Sequence, residues 1–533
     1  MFRFCSLLVL VSLPSATNGQ DWSMLYRSSH RNNVSDATNL PVEFDVETGK
    51  NIKWVAKLGS QSYGSPVTAH GQIYIGTNNQ NGYLKRFPSN IDLGCLLCFR
   101  QSDGRFLWQY SATKLPTGRV HDWPLQGICS VPLIEKQKMW FVSNQGKVVC
   151  LDTLGHYDGE DQGIPNEKLN PKKNNLLLEA DVIWEYDMMA ELGISQHNMA
   201  TCAPAAYGDV LFINTSNGLD SSHIKIPAPD APTFIALNKN TGELLWADNP
   251  AGKNILHGQW SCPAVGVFDG VAQVIFPAGD GWIYSYRADE WQDGKPILLW
   301  KFDGNPKTSK WVLGGRGRRN NIIAPPVIHE NKVYFVMGQD PEHGEGLGDL
   351  WCLDPTRRGD LSAELVVDQD DHPAPHRRIQ AVDTTAGEKV VPNPNSGVVW
   401  HFDRQDVDGD GLIAFEEEMH RSLSTPVIKD GLLYQADFAG MFYCIDANTG
   451  KVQWSYDTFA SCWSTPLVAD GKVFLGDEDG DVAIFEHGPK KKLLTEIYME
   501  NSINSTPIAI GETLYISTRD RLYAIRKDRT PQS

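Results

Sequence analysis

Beyond its first twenty residues, the chain has no apolar run of the ~20 residues that a membrane helix requires. It also lacks basic excess: 48 Lys and Arg stand against 65 Asp and Glu, a net charge of -17. A phosphate backbone needs a cationic face, so nucleic acid is excluded as a partner. No C-x-x-C-H haem site is present, and the one C-x-x-C, Cys95 with Cys98, has no second pair at zinc spacing. Ten cysteines are present, and Cys5 lies in the leader, so an odd number remains and they cannot all pair within one chain. Cys98, Cys150, Cys352 and Cys444 recur at one strand position (LLCF, VVCL, LWCL, FYCI), where a small apolar side chain packs as a buried free thiol.

What the sequence does have is a leader and a repeat. Arg3 and the apolar stretch Cys5 to Leu13 form a signal peptide over residues 1–19, with cleavage expected near Gln20. That places the protein in the periplasm or outside the cell. The 16 Trp and 47 Gly among 533 residues point to many short strands joined by tight turns.

Residues 424–457, STPVIKDGLLYQADFAGMFYCIDANTGKVQWSYD, show the unit most clearly. Four strands alternate with turns at KDG, FAG and NTGK, where Asn and Gly supply the positive φ that a hairpin needs. One such sheet cannot bury both faces alone, so copies must stack. The copies are counted from first-strand prolines: Pro66, Pro132, Pro204, Pro263, Pro325 or Pro326, Pro426, Pro466 and Pro507. A small residue stands two places before each, with the fifth copy as an exception. Fourth-strand tryptophans follow at Trp108, Trp184, Trp246, Trp300, Trp400 and Trp454.

The last copy stops after three strands, and its fourth is expected at the other end, in NIKWVAKL around Trp54. The fold expected is all-β: an eight-bladed propeller of four-stranded antiparallel blades, closed by pairing N- and C-terminal strands, which removes exposed edges. It spans 51–528 after a lead-in at 20–50 and before a tail at 529–533. Insertions at about 152–180, 216–232, 340–350 and 355–397 are expected as surface loops.

The segments DANTGKVQW, NKNTGELLW and GDGWIYSYRA resemble the pyrroloquinoline-quinone (PQQ) enzyme repeat, which also builds the propeller of the outer-membrane barrel-assembly lipoprotein. Longer stretches, among them HGQWSCPAVGVFDGVAQVIFPAGDGW, resemble exported PQQ-binding-like propellers. The resemblance covers the mature chain and implies the fold. In quinoprotein alcohol dehydrogenases it implies a quinone in the central funnel, with a tryptophan floor, a vicinal disulfide and a bound Ca²⁺. This sequence has no adjacent cysteines, so that disulfide is missing.

The funnel-face loops carry the candidate ligand-binding residues Trp123, His197, Asn198, Trp260, Arg316, Arg318, Arg319 and Trp463, with His121, Asp122, His257, Trp311, Asn320 and Asn504 nearby. Aromatic, imidazole and guanidinium groups on one concave mouth suit a small polar or anionic ligand. The GRGRR run also fits a solvated basic loop, and each isolated His or Trp also fits a packing role.

The most specific chemical motif is DVDGDGLIAFEE. It matches a twelve-residue EF-hand loop, with Asp406, Asp408 and Asp410 at positions one, three and five. Leu412 offers its carbonyl at seven, and Glu417 is the bidentate acid at twelve. A Ca²⁺ site is expected, against the alternative of an exposed acidic loop. No helix enters the loop and EEEMHRS offers a short exiting one, so the site is read as static.

Two functions follow. One is a non-enzymatic scaffold in the cell envelope that holds a protein or small ligand. The alternative is a PQQ-dependent oxidoreductase of alcohols or sugars. A hydrolase would need two facing funnel carboxylates, and spacing alone nominates none.

Overall fold

Blade six shows how the repeat folds. Its strands Val427–Lys429, Leu432–Ala436, Met441–Asp446 and Val452–Asp457 pair antiparallel in chain order. Between the last two, the Asp446 carboxylate accepts the backbone N–H groups of Asn448 and Thr449 at 3.0 and 2.9 Å. This local cap pre-forms the turn. Gly450 closes it at φ +73°, and a Cβ there would lie 2.7 Å from the indole of Trp400 in blade five. Trp400 Nε1 in turn donates to the Ala447 carbonyl at 2.9 Å. One short motif therefore turns the hairpin and receives the previous blade's tryptophan. The same fit recurs at Gly242 against Trp184 and at Gly104 against Trp54.

The computed structural model describes residues 21–161, 163, 175–311, 317–374 and 381–528. The expected signal segment and the tail at 529–533 lie outside the described residues. Eight blades occupy 67–113, 133–187, 205–248, 264–303, 327–402, 427–457, 467–498 and 508–525. The eighth is completed by Ile52–Lys57, antiparallel to Arg521–Ile525 with Trp54 opposite Ala524. The architecture is the expected closed ring of four-stranded antiparallel blades. Helix among the described residues is confined to short turns, the longest being Met188–Leu192. No helix there is long and apolar enough to cross a membrane.

The insertion at 355–397 differs from a plain loop. It adds Gly359–Asp360 in parallel to the outer strand of blade four and folds a separate hairpin from Glu364–Val367 and Lys389–Pro392. All nine described cysteines are unpaired and buried. Cys95 and Cys98 sit three apart on one strand, so their side chains leave opposite faces and cannot share an ion.

The lead-in visits the whole ring. Each first strand has one neighbour in its own blade, which leaves its inner edge unpaired. The carbonyl of Trp22 accepts from Thr68 N–H, Ser23 from Ile134, Ser29 from Val265, His30 from Ile328 and Asn33 from Val468, at 2.7–3.2 Å. Asn32 brackets Ile428 with both atoms of its amide, and Ser35 Oγ donates to the Ala509 carbonyl. Blade three is reached through Arg31. Its fully buried guanidinium donates to the carbonyls of Ala203 and Pro204, and also to Leu25 and Pro263. Residues 22–35 thus form a strap that satisfies one edge of every blade.

The strap also resolves the fifth copy. In every other copy except blade three the bonded residue stands two places after the first-strand proline, so Ile328 selects Pro326. Ala324 then stands two places before it. The fifth copy therefore carries a small residue there too, and the departure expected from the sequence disappears.

Candidate functional site in the central funnel

The third residue before each first-strand proline points into one cavity of about 490 Å³. The ring reads Tyr63, Cys129, Thr201, Trp260, Ile323, Leu423, Trp463 and Asn504, one residue from every blade. A smaller cavity of about 130 Å³ continues inward and ends on Leu25 and Tyr26 of the strap. Tyr26 Oη lies 2.8 Å from Thr465 Oγ1. Around that level the blades bond to one another: Thr425 N–H to Thr465 Oγ1, Thr465 N–H to Thr506 Oγ1, and Thr506 N–H to Ser65 Oγ, all at 2.9–3.0 Å. The funnel is therefore a blind well with an ordered floor.

Of the residues expected at the funnel, Trp123, Asn198, Trp260 and Trp463 line the cavity. The guanidinium of Arg119 sits 3.5 Å above the Trp123 ring, a cation–π pair at the mouth. Trp463 Nε1 donates to Glu478 at 3.1 Å. Asp122 is buried in an ion pair with Lys114 and is not on the lining. Arg316 lies outside the described residues. Arg318 is exposed and away from the lining.

Arg319 turns inward. It pairs with Asp303 at 2.9 Å in a fully buried cluster that Lys307 completes at the same distance. Burial pushes the Asp303 carboxyl up, but Arg319 and Lys307 outweigh it and hold the group below its ordinary value. Arg319 is thus committed to structure.

Spacing from the first-strand proline would have found the ring of eight. It could not have found Asp340 and Glu342, which reach the mouth from the 340–350 insertion, or Gln126 and Arg519. Burial raises Asp340 to about 6, opposed by the Glu342 N–H bonded to it. Gln126 Oε1, Asn504 Oδ1 and Arg519 Nε, all in residues of the lining, have no protein partner.

His197 lies behind the wall, fully buried. Its backbone carbonyl accepts from Trp260 Nε1, and its ring faces His257. Burial lowers His197 to about 4 and His257 to about 2, helped at His257 by neighbouring imidazoles. Both rings are neutral at physiological pH.

In the acidic loop, Asp406, Asp408 and Glu417 each bring a carboxylate oxygen within 4.8 Å of the others. Asp406 accepts from Gly409 and Gly411 N–H at 2.7 and 3.0 Å, and Glu417 from Val407 and Ala414 at 2.6 and 3.0 Å. Backbone donors from Ala414 and Val407 hold Glu417 below the ordinary carboxylate range. The exit is a single turn, Phe415–Glu417, in place of the expected helix over EEEMHRS.

Residues 376–491 match the family model described as outer membrane protein assembly factor BamB. The BamB protein of Yersinia pestis is 24% identical over 291 residues, covering 54% of this chain and 61% of that protein, so the match spans under two thirds of the relative. Among solved structures, a europium-containing methanol dehydrogenase superposes with a TM-score of 0.57 at 12% identity, over 96% of this chain and 98% of that one. A quinohemoprotein alcohol dehydrogenase from Pseudomonas putida HK5 gives 0.55 at 11% identity, over 96% and 82%.

Such dehydrogenases invite a test of the quinone against the funnel. PQQ is a flat tricarboxylate, and the described lining offers one guanidinium, Arg519, beside the acids Asp340 and Glu342. A single cysteine, Cys129, stands there with no neighbour to form a vicinal disulfide. The described residues do not fit the quinone. The chain is an eight-bladed β-propeller, similar in sequence over part of its length to an outer membrane protein assembly factor and in fold to a methanol dehydrogenase and a quinohemoprotein alcohol dehydrogenase.

Proposed function

We propose that the protein is an exported scaffold of the cell envelope whose funnel receives a protein segment or a small polar ligand. The observation that carries this reading is the blind well. Eight blades each contribute one lining residue and the strap closes the floor. A volume of about 490 Å³ is that of a pocket for a whole small ligand or a few side chains of a protein segment. Similarity to an outer membrane protein assembly factor supports a protein as the partner. The acids Asp340 and Glu342 are balanced by Arg519 in the lining and Arg119 at the mouth, so the aromatic walls favour a neutral polar group over an ion of either sign. The anionic guest expected from GRGRR loses Arg319 to Asp303.

The signal segment supports export, and sequencing the N-terminus of the protein from the envelope fraction should find it starting near Gln20. The 406–417 loop supports a static Ca²⁺ site. Asp406, Asp408 and Glu417 converge, a cation would relieve their repulsion, and Asp410 and Leu412 complete the oxygen set.

A photo-crosslinking residue placed at Trp123 tests the scaffold. It should trap a defined partner in envelope preparations, whereas one at Tyr498, exposed on the outer strand of blade seven, should not. Equal labelling from both sites would remove the funnel from the proposal. The dehydrogenase alternative rests on the fold neighbours. If added PQQ and Ca²⁺ leave a quinone absorbance that co-elutes with the protein, together with dye reduction by alcohols, the scaffold reading falls.

A further inference from the structure

Four imidazoles meet behind Trp260, delivered by four separate loops. His197 precedes blade three and His257 precedes blade four, while His223 and His343 come from insertions in blades three and five. His197, His223 and His257 each offer a ring nitrogen within 4.8 Å of the other two. His257 Nε2 stands 2.9 Å from His197 Nε2. The His343 ring packs on His257 with centroids 5.2 Å apart.

Hydrogen bonding alone leaves this cluster incomplete. His197 Nδ1 lies 2.6 Å from the Leu219 carbonyl, which can only accept, so Nδ1 carries the proton and Nε2 a lone pair. That is how a ligating imidazole is held: the outer nitrogen donates to a carbonyl and the inner one is free. If His257 Nε2 donates to His197, His257 Nδ1 is left as an acceptor with no partner in a side chain only 1% exposed. His343 Nε2 is buried without a partner as well. The close approach is built in at Gly218, where a Cβ would lie 2.7 Å from both His197 Cβ and the His257 carbonyl oxygen.

We propose that His197, His223 and His257 bind one divalent transition-metal ion, zinc being the best match, with His343 beside them as a further donor. Imidazole nitrogen selects zinc and its neighbours over calcium and magnesium, which take oxygen. Two imidazoles on a tetrahedral zinc, each bonded at about 2.0–2.1 Å, stand about 3.3 Å apart. The His197–His257 pair therefore needs to open by only a few tenths of an ångström. The ion clasps the 216–232 insertion to the loops before blades three and four, and braces the wall that carries Trp260.

The test uses the full chain, stripped with chelator and titrated with zinc chloride alone by calorimetry. One zinc per chain is expected, with a rise in melting temperature, and Co²⁺ should give the visible bands of a four-coordinate ion. His223→Gln and His257→Gln should each weaken zinc by more than the roughly 10–100-fold cost of losing an outer-shell partner. His223 is half-buried on an insertion, so its variant keeps the fold, as circular dichroism will show. Asp408→Ala, in the acidic loop, should leave zinc uptake unchanged. A wild-type chain that takes up no zinc would overturn the proposal. So would uptake unchanged in both histidine variants, or uptake lost only in Asp408→Ala.

Discussion

Arg31 Nη2 donates to the Pro204 carbonyl at 2.9 Å, joining the lead-in to the first strand of blade three across 173 residues of sequence. The same guanidinium reaches Leu25, Ala203 and Pro263, and burial lowers its pKa from the ordinary arginine value. A buried charge is tolerated here because carbonyl dipoles surround it.

Arg31→Met removes those donors and leaves several carbonyls unsatisfied at the ring axis. A loss on the order of 3 kcal/mol is expected, read as a lower urea midpoint. An unchanged midpoint would count against the strap as a stabilising element.

Gly450→Ala tests the inter-blade fit. The new Cβ would meet the Trp400 indole at 2.7 Å, on a backbone at φ +73°. Strain and displacement together should cost about 2 kcal/mol or more. Gly471→Ala is the control, since φ is +67° there and nothing lies within 4 Å. It carries the backbone term alone and should cost less.

Asp340 predicts a pH dependence. Its folded value, about 6, lies above its ordinary 3.8 because of burial. The folded chain therefore holds the proton longer than the unfolded chain, and this group's contribution to stability falls as pH rises from about 4 to 6. Asp340→Asn keeps an acceptor for the Glu342 N–H and removes the charge. Its melting temperature should exceed wild type at pH 7 and match it near pH 4. The opposite order would reject the assignment.

The acidic loop predicts a calcium response. Calorimetry should show Ca²⁺ uptake by the full chain, with a dissociation constant of order 10⁻⁴–10⁻³ M for an extracellular site. Asp408→Ala and Glu417→Ala should both abolish it, and unchanged uptake would dismiss the site.

Much of the ring was legible because each blade repeats the same local chemistry. A small residue stands two before the first-strand proline of every blade, a tryptophan sits in the fourth strand of all but blade seven, and Asx-capped NTG turns mark blades three and six. Trp54 disclosed the seam because its strand carries that signature at the wrong end of the chain. The lead-in carries no such signature. Its bonds run mainly through its own backbone carbonyls, which any residue possesses, so nothing in 22–35 announces that it crosses all eight blades.

The candidate site divides the same way. Trp123, Asn198, Trp260 and Trp463 were readable as funnel residues because their loops follow a counted strand. Arg319 was readable as basic, but its partner Asp303 lies in a different segment, and only packing decided that the charge points inward.

By itself, the sequence determined the closed eight-bladed ring, because local turn chemistry and strand periodicity are properties of neighbouring residues. The strap on the axis, the choice of Pro326, the blind floor at Tyr26 and the meeting of His197, His223 and His257 were decided by tertiary structure alone. Each depends on groups far apart in sequence that ring closure brings within a few ångströms.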